Sequence, residues 1–303
     1  MKGKSLLSVA DLTAAEIERL FQVARDTKRG PISPRLTGKA VALLFEKPSL
    51  RTRVSFEVAV SQLGGKAVYL SQAEVGLGKR ESIPDVARTL GRFVQAIVVR
   101  TFAQADLALL ARWAAIPIIN ALTDEEHPCQ ALADLLTVKE KKGRLEGVTL
   151  AYVGDGNNVC HSLMLASALM GLDFHMAHPL GYGPRPETVE KAKALARESG
   201  ARLSFYQAPQ EAVAGVEVVY TDVWTSMGQE AQAEARRKAF SGYQVNEGLM
   251  AQAGKGALFM HPLPAHRGEE ISPGLLEHPQ SVVFDQAENR LHIQRALLAE
   301  VLG

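Results

Sequence analysis

The sequence predicts an α/β protein made of two doubly wound parallel-sheet domains joined by helices. Three observations predict it. Short apolar runs alternate with helix-like segments along most of the chain. The runs fall into two sets. A helical segment ending in charged residues separates the sets. Parallel strands need crossover connections, so this alternation points to parallel sheets with helices on both faces.

The elements follow in chain order. Thr13-Ala-Ala-Glu16 is a capping box, and Ile17, Leu20, Phe21 and Ala24 fall at i, i+3, i+4 and i+7, predicting the first helix. The first set of strands is Val41–Phe45, Ala67–Leu70, Ala96–Val99 and Ile116–Ile119. A helix over Thr52–Leu63 lies between the first two, and Gly64-Gly65 stops it. The segment Cys129–Lys142 is helical in pattern, runs into KEKKGR and is predicted to join the two halves. The second set of strands is Val148–Val153, Asp173–Ala177, Leu203–Phe205, Val216–Tyr220, Ala257–Met260 and Val282–Phe284. LARESG, Leu195–Gly200, reads as a solvated helix end, and Gln286–Leu302 as the final helix.

Bulk properties narrow the function classes. A chain of 303 residues suggests about two domains. Its 34 basic and 33 acidic residues leave a formal charge of +1, with no bias toward nucleic acid or a membrane surface. No run approaches the ~18 apolar residues of a membrane span, and the N-terminus lacks a signal-peptide pattern. Cys129 and Cys160 do not make a secreted disulfide framework, so the expectation is a cytoplasmic protein.

Seven places carry candidate chemistry. In Phe45-Glu-Lys-Pro-Ser-Leu-Arg-Thr-Arg, a strand ends and a helix begins, so free backbone N–H groups meet Ser49, Arg51 and Thr52. This suits a phosphate; a Ser-capped helix with surface arginines is the plain alternative. Arg100 ends a predicted strand, where ligands of parallel sheets bind. His127-Pro-Cys-Gln130 opens the joining helix and offers donors to a carbonyl oxygen. His127 and Cys129 have no second ligand pair, so no metal is expected. Gly154-Asp-Gly-Asn-Asn-Val159 follows a strand, but Val159 replaces the third glycine of a dinucleotide fingerprint and His178 stands where an acid belongs. Asp222-Val-Trp-Thr-Ser-Met-Gly-Gln229 suits an amino-acid headgroup, or else Ser226 is a helix N-cap with Asp222 capping the turn before it. His261-Pro-Leu-Pro-Ala-His-Arg-Gly268 is a rigid turn. Arg290 in the last helix is a surface residue unless an anion lies nearby.

Together PSLRTR, HPCQ, GDGNN, DVWTSMG, HPLPAHRG and QAENR, in that order, resemble the aspartate/ornithine carbamoyltransferase family along nearly the whole chain. The resemblance implies a carbamoyl-phosphate domain over 1–134 plus a C-terminal helix, 286–303, packing back on it, and an amino-acid domain over 135–285. It implies that Ser49, Leu50, Arg51, Thr52, Gly76, Arg100, His127, Gln130, Pro262, Leu263 and Arg290 bind carbamoyl phosphate, with Arg100, His127 and Thr52 on the carbonyl oxygen. Asn158, Asp222, Ser226 and Met227 match the ornithine-headgroup residues, so the ornithine branch fits best. No metal or organic cofactor is implied. The implied partners are carbamoyl phosphate, ornithine and further copies of the chain in a homotrimer or assembly of trimers. The implied role is arginine biosynthesis. The alternatives are another amine acceptor (putrescine, N-acetylornithine, lysine) or a non-catalytic family member.

Three positions depart from the family pattern. Leu50 stands where threonine is usual, Gly76 where some relatives have glutamine, and Pro262 where ornithine enzymes usually have cysteine. The loop 76–82, GLGKRES, is a candidate to complete a neighbouring subunit's site.

Overall fold

A computed structural model describes all residues, Met1–Gly303. The chain divides into two compact units, Met1–Ala133 with Glu288–Gly303, and Asp134–Ala287.

Strands β1 (Ala40–Phe45), β2 (Lys66–Ser71), β3 (Ala96–Arg100) and β4 (Ile118–Leu122) form the sheet of the first unit, all parallel, in the order β2-β1-β3-β4. Helices α1 (Ala14–Arg29), α2 (Leu50–Gln62), α3 (Gln72–Val75), α4 (Ile83–Phe93) and α5 (Gln104–Trp113) accompany it. The central strand β1 reads Ala-Val-Ala-Leu-Leu-Phe because both of its faces are covered, and all but Ala40 are buried. The capping box at Thr13 forms as the sequence predicts, and the stripe Ile17, Leu20, Phe21 and Ala24 is buried. Helix α2 ends at Leu63 and Gly64, whose φ of +77° suits glycine.

Helix α6 (Pro128–Lys142) starts in the first unit and ends in the second. The second unit carries β5 (Thr149–Val153), β6 (Asp173–Ala177), β7 (Leu203–Tyr206), β8 (Val218–Thr221) and β9 (Leu258–Met260), parallel in the order β7-β6-β5-β8-β9. Its helices are α7 (Asn158–Leu169), α8 (Pro186–Ser199), α9 (Pro209–Val213), α10 (Ala233–Ala239) and α11 (Glu247–Met250).

The last helix, α12 (Val283–Leu302), returns most of its length to the first unit. Gly3 N donates to Val301 O at 3.0 Å, and the buried Arg295 donates to Gln62 Oε1 at 2.6 Å and to Thr27 Oγ1 at 3.0 Å.

Two predicted strands need correction. Val282–Phe284 is no strand: Phe259 N donates to Gln280 O, Val282 N donates to Phe259 O, and the chain turns helical at Val283. The extended bridge beside β9 is centred on Ser281, one residue ahead of the apolar run that suggested it. The fourth strand starts at Ile118 rather than Ile116, because Pro117 has no N–H to give a ladder and serves only as an acceptor, for Ile97 N.

Candidate functional site

In a parallel sheet, ligands bind beyond the carboxyl ends of the two strands where the strand order reverses. In the first unit these are β1 and β3, whose last residues, Phe45 and Arg100, are register partners. The segment Ser49–Thr52 follows β1 and Arg100 ends β3, so two sequence-predicted groups meet at this switch point.

Ser49 is the N-cap of α2, its Oγ accepting from Thr52 N at 3.3 Å. The serine therefore caps the helix, as the plain reading of this stretch expects. Thr52 is buried, and its Oγ1 accepts from Arg290 Nη2 at 2.5 Å. That bond uses a lone pair and leaves the hydroxyl hydrogen available as a donor. Arg290 is thus a buried member of the cluster, not a surface residue. Leu50 points outward, 74% exposed, so a hydroxyl missing from its side chain is missing from the surface of α2.

Three guanidinium groups interact here. Arg100 is buried, and its Nε has no hydrogen-bond partner. Burial, with repulsion from Arg290 and Arg51, lowers its pKa to about 10. Burial lowers that of Arg51 too. His127 is held well below the usual histidine range, first by burial and then by Arg290 and Arg100. It is therefore neutral at pH 7 and offers one ring N–H. Its backbone carbonyl accepts from Gln130 N at 3.0 Å and Ala131 N at 3.2 Å, fixing the first turn of α6, and Gln130 is buried beside it. Cationic donors gathered with a neutral imidazole have the charge and hydrogen-bonding that suit a small polyanion.

Gly76 caps α3 with φ of +54°, and a Cβ there would lie 2.9 Å from Arg80 Cβ. This explains locally why a longer side chain is disfavoured at that position.

The second unit repeats the arrangement. Its switch point lies between β5 and β8, where Val153 pairs with Thr221. Gly154–Asn158 follows one strand and Asp222 the other. The loop is tight: Gly156 N donates to Tyr182 O at 2.8 Å, and a Cβ on Gly156 would fall 2.3 Å from Gly183 C. Asp222 is buried, accepting from Val223 N at 2.8 Å and from Asn157 Nδ2 at 2.7 Å. Burial raises its pKa, opposed by His261 and by those two donors. Asn158 opens α7, while Ser226 and the half-exposed Met227 lie in the turn after Asp222. Ser226 does not cap a helix. Its N–H donates to Gln229 Oε1 at 3.0 Å, and the 3-10 turn Glu230–Gln232 that leads into α10 starts only after Gln229.

The rigid turn after β9 is distinctive. Pro262 is buried, Leu263 has φ of +55°, and the Leu263–Pro264 bond is cis. Leu263 N donates to His261 Nδ1 at 2.9 Å, which places the ring proton on Nε2, 3.2 Å from Glu270 Oε1. A non-glycine residue at positive φ costs of order 1 kcal/mol or more and marks a place worth attention.

His266, Glu269 and Glu270 bring one potential metal-ligand atom each within 4.8 Å of one another. Glu269 is already paired with Arg237 at 2.9 Å, and Glu270 accepts from His261 and from His266 N. Ion pairing accounts for this cluster. His127 and Cys129 do not form a ligand pair: Cys129 is buried, faces Asn120 O at 3.5 Å, and burial pushes its thiol up to about 12.

Sequence reasoning passed over several residues. Lys47 is buried against Asp124 and lies 4.4 Å from the Phe102 ring centroid; Glu46 accepts from Thr101 Oγ1. Arg236 pairs with Asp155 at 2.9 Å, while burial still lifts Asp155 to about 6. Asn157 was visible within GDGNN, but nothing in the string distinguishes it from Asn158.

A family model described as the carbamoyl-P binding domain of aspartate/ornithine carbamoyltransferase matches residues 4–140. One described as the Asp/Orn binding domain of the same family matches residues 146–301. The chain belongs to the aspartate/ornithine carbamoyltransferase family. It is similar to the ornithine carbamoyltransferase of Anoxybacillus flavithermus, 51% identical over 100% of this chain and 98% of that one. With the Bacillus subtilis ornithine carbamoyltransferase it shares 50% identity over 99% of this chain and 94% of the relative. The solved ornithine carbamoyltransferase from Pyrococcus furiosus matches with a TM-score of 0.97 and 49% identity, covering 100% of this chain and 98% of that one.

Proposed function

We propose that this enzyme transfers the carbamoyl group of carbamoyl phosphate to the δ-amine of L-ornithine, giving L-citrulline and phosphate. The observation that carries the reading is the convergence of Arg51, Arg100 and Arg290 with the neutral His127 at the first switch point. Ser49, the N–H groups around Leu50–Thr52, Arg51 and Arg290 take the phosphate. Thr52, Arg100 and His127 take the carbonyl oxygen, where negative charge grows as the amine attacks; one such donor contributes roughly 2.7–4 kcal/mol in other enzymes. Gln130 and the backbone around Pro262–Leu263 hold the carbamoyl nitrogen, and Gly76 belongs to the loop that borders the phosphate. Asn158, Asp222, Ser226 and Met227 hold the amino-acid headgroup, with Asp222 as the counter-charge of the α-ammonium.

The neutral δ-nitrogen forms a bond to the carbonyl carbon, the bond from that carbon to the phosphate oxygen breaks, and the departing phosphate accepts the amine proton. The step requires no organic cofactor. We further propose a cytoplasmic enzyme of arginine biosynthesis that works as a trimer or an assembly of trimers; no helix of the chain is long and apolar enough to cross a membrane.

The test compares amine acceptors at fixed carbamoyl phosphate: ornithine, putrescine, N-acetylornithine, lysine and aspartate. Ornithine should lead in kcat/KM by at least about tenfold. A lead by another amine would reassign the substrate, and inactivity with all of them would support a non-catalytic member.

A further inference from the structure

We infer that Asn157 is a positioning residue for the amino-acid substrate: its side-chain amide fixes the Asp222 carboxylate in the orientation that reads the α-ammonium. This rests on the headgroup reading proposed above and adds to it a residue that does not itself touch the substrate.

The geometry fixes the amide without ambiguity. Asn157 is the N-cap of α7, and its Oδ1 accepts from Val159 N and Cys160 N, both at 3.0 Å. The Tyr152 hydroxyl also lies 3.2 Å from that oxygen. With Oδ1 surrounded by donors, Nδ2 must be the atom facing Asp222 Oδ2, at 2.7 Å. A flipped amide would set a carbonyl oxygen against a carboxylate and two N–H groups against an NH2. The N-cap thus does two things at once. It satisfies the first amides of α7, and it passes a donor across the switch point from the β5 side to the β8 side.

Asp222 needs such a donor. It is buried, and each of its oxygens has one protein donor, Val223 N on Oδ1 and Asn157 Nδ2 on Oδ2. Its neighbours pull in both directions. His261 and the two donors favour the carboxylate; burial and Glu270 disfavour it. Asp155, itself paired with Arg236, and the buried Tyr152, Tyr220 and Cys160 also lie within its field. Among these, Asn157 is the one group that hydrogen-bonds Oδ2. Without it that oxygen would be free to rotate toward the β5 loop or to take a proton.

The variant Asn157→Ser separates this role from capping. Serine is as good an N-cap as asparagine, so α7 keeps an acceptor, but its side chain is too short to reach Asp222. The probes are L-2-aminopentanoate, which is ornithine without its δ-amine, and pentanoate, which also lacks the α-amine. Each is measured as a competitor of ornithine, alongside the KM for carbamoyl phosphate. We expect the variant to bind L-2-aminopentanoate at least about tenfold more weakly, the scale of one hydrogen bond to a charged group. Its KM for carbamoyl phosphate should stay within about twofold. Discrimination between the two competitors should shrink.

A second arm asks whether the effect runs through the Asp222 charge. In an Asp222→Asn background the charge is gone, so adding Asn157→Ser should weaken L-2-aminopentanoate by less than about twofold more. Unchanged affinity in Asn157→Ser, equal losses for both competitors, a parallel rise in KM for carbamoyl phosphate, or full additivity in the double variant would each overturn the positioning role. If the parent enzyme were not inhibited by L-2-aminopentanoate at all, the headgroup reading would fall first and this inference with it.

Discussion

Arg100 is held as a cation in a place that disfavours cations, and its removal should expose that cost. Burial and the guanidiniums of Arg290 and Arg51 bring its pKa down from the usual arginine range to about 10. Each tenfold change in acidity corresponds to about 1.36 kcal/mol, so the charge is disfavoured by roughly 3 kcal/mol when no anion is bound. Arg100→Met keeps an unbranched chain of similar reach without the charge. The unliganded protein should be no less stable than the parent and should gain up to roughly 3 kcal/mol, as when a strained functional group is removed. The kinetic cost should be large. Losing one oxyanion donor lowers kcat by roughly 100- to 1000-fold. The assay is denaturant unfolding in phosphate-free buffer, with steady-state kinetics on the same samples. A variant destabilised by more than about 1 kcal/mol, or one slowed by less than about tenfold, would refute the view that Arg100 is held under repulsion for an anionic transition state.

Three further outcomes follow from the same site. Arg51→Ala should lower kcat/KM for carbamoyl phosphate by at least about tenfold while leaving the unfolding transition in place, since charge-assisted hydrogen bonds contribute roughly 1.5–3 kcal/mol each; steady-state kinetics with near-parental values would remove Arg51 from the phosphate site. Thiol alkylation should leave activity intact, because Cys129 and Cys160 are buried with their thiols pushed up and position 262 holds proline; Pro262→Cys should become sensitive, and rapid inactivation of the parent would contradict this. The pH profile of kcat/KM for ornithine should rise through the neutral range as the amine, with an aqueous pKa of about 10.4, loses its proton. No inflection near 6.5 should come from His127, which is already neutral there. The linked stability has a definite sign. The folded His127 has a pKa below its unfolded value, so its contribution is whole above about 6.5 and is lost as pH falls below that. Unfolding measured from pH 8 down to pH 5 should weaken in that direction, and His127→Gln should flatten the slope.

The fold was legible because parallel strands buried on both faces write continuous apolar runs, as in β1, and because capping boxes are local. Errors came where the chain changes state within a residue or two. At Val282–Phe284 an extended bridge passes straight into a helix, and apolar content alone does not separate the two. For the site, Ser49, Thr52, Arg100, His127 and Asp222 were legible as polar residues closing or following a strand. Arg290 was legible only through the family resemblance, because its burial depends on the last helix returning across nearly the whole sequence to Thr52. Asn157, Lys47 and the His261–Glu270 pair were also hidden. Their partners lie in other loops, and single-chain spacing carries no signal for contacts of that kind.

The central claim is tested most directly by following carbamoyl phosphate labelled in its carbon through a single turnover with ornithine. The label should appear in citrulline, and one phosphate should be released for each citrulline formed. Release of phosphate with the label lost as carbon dioxide, or transfer of the label to another amine in preference to ornithine, would contradict the account.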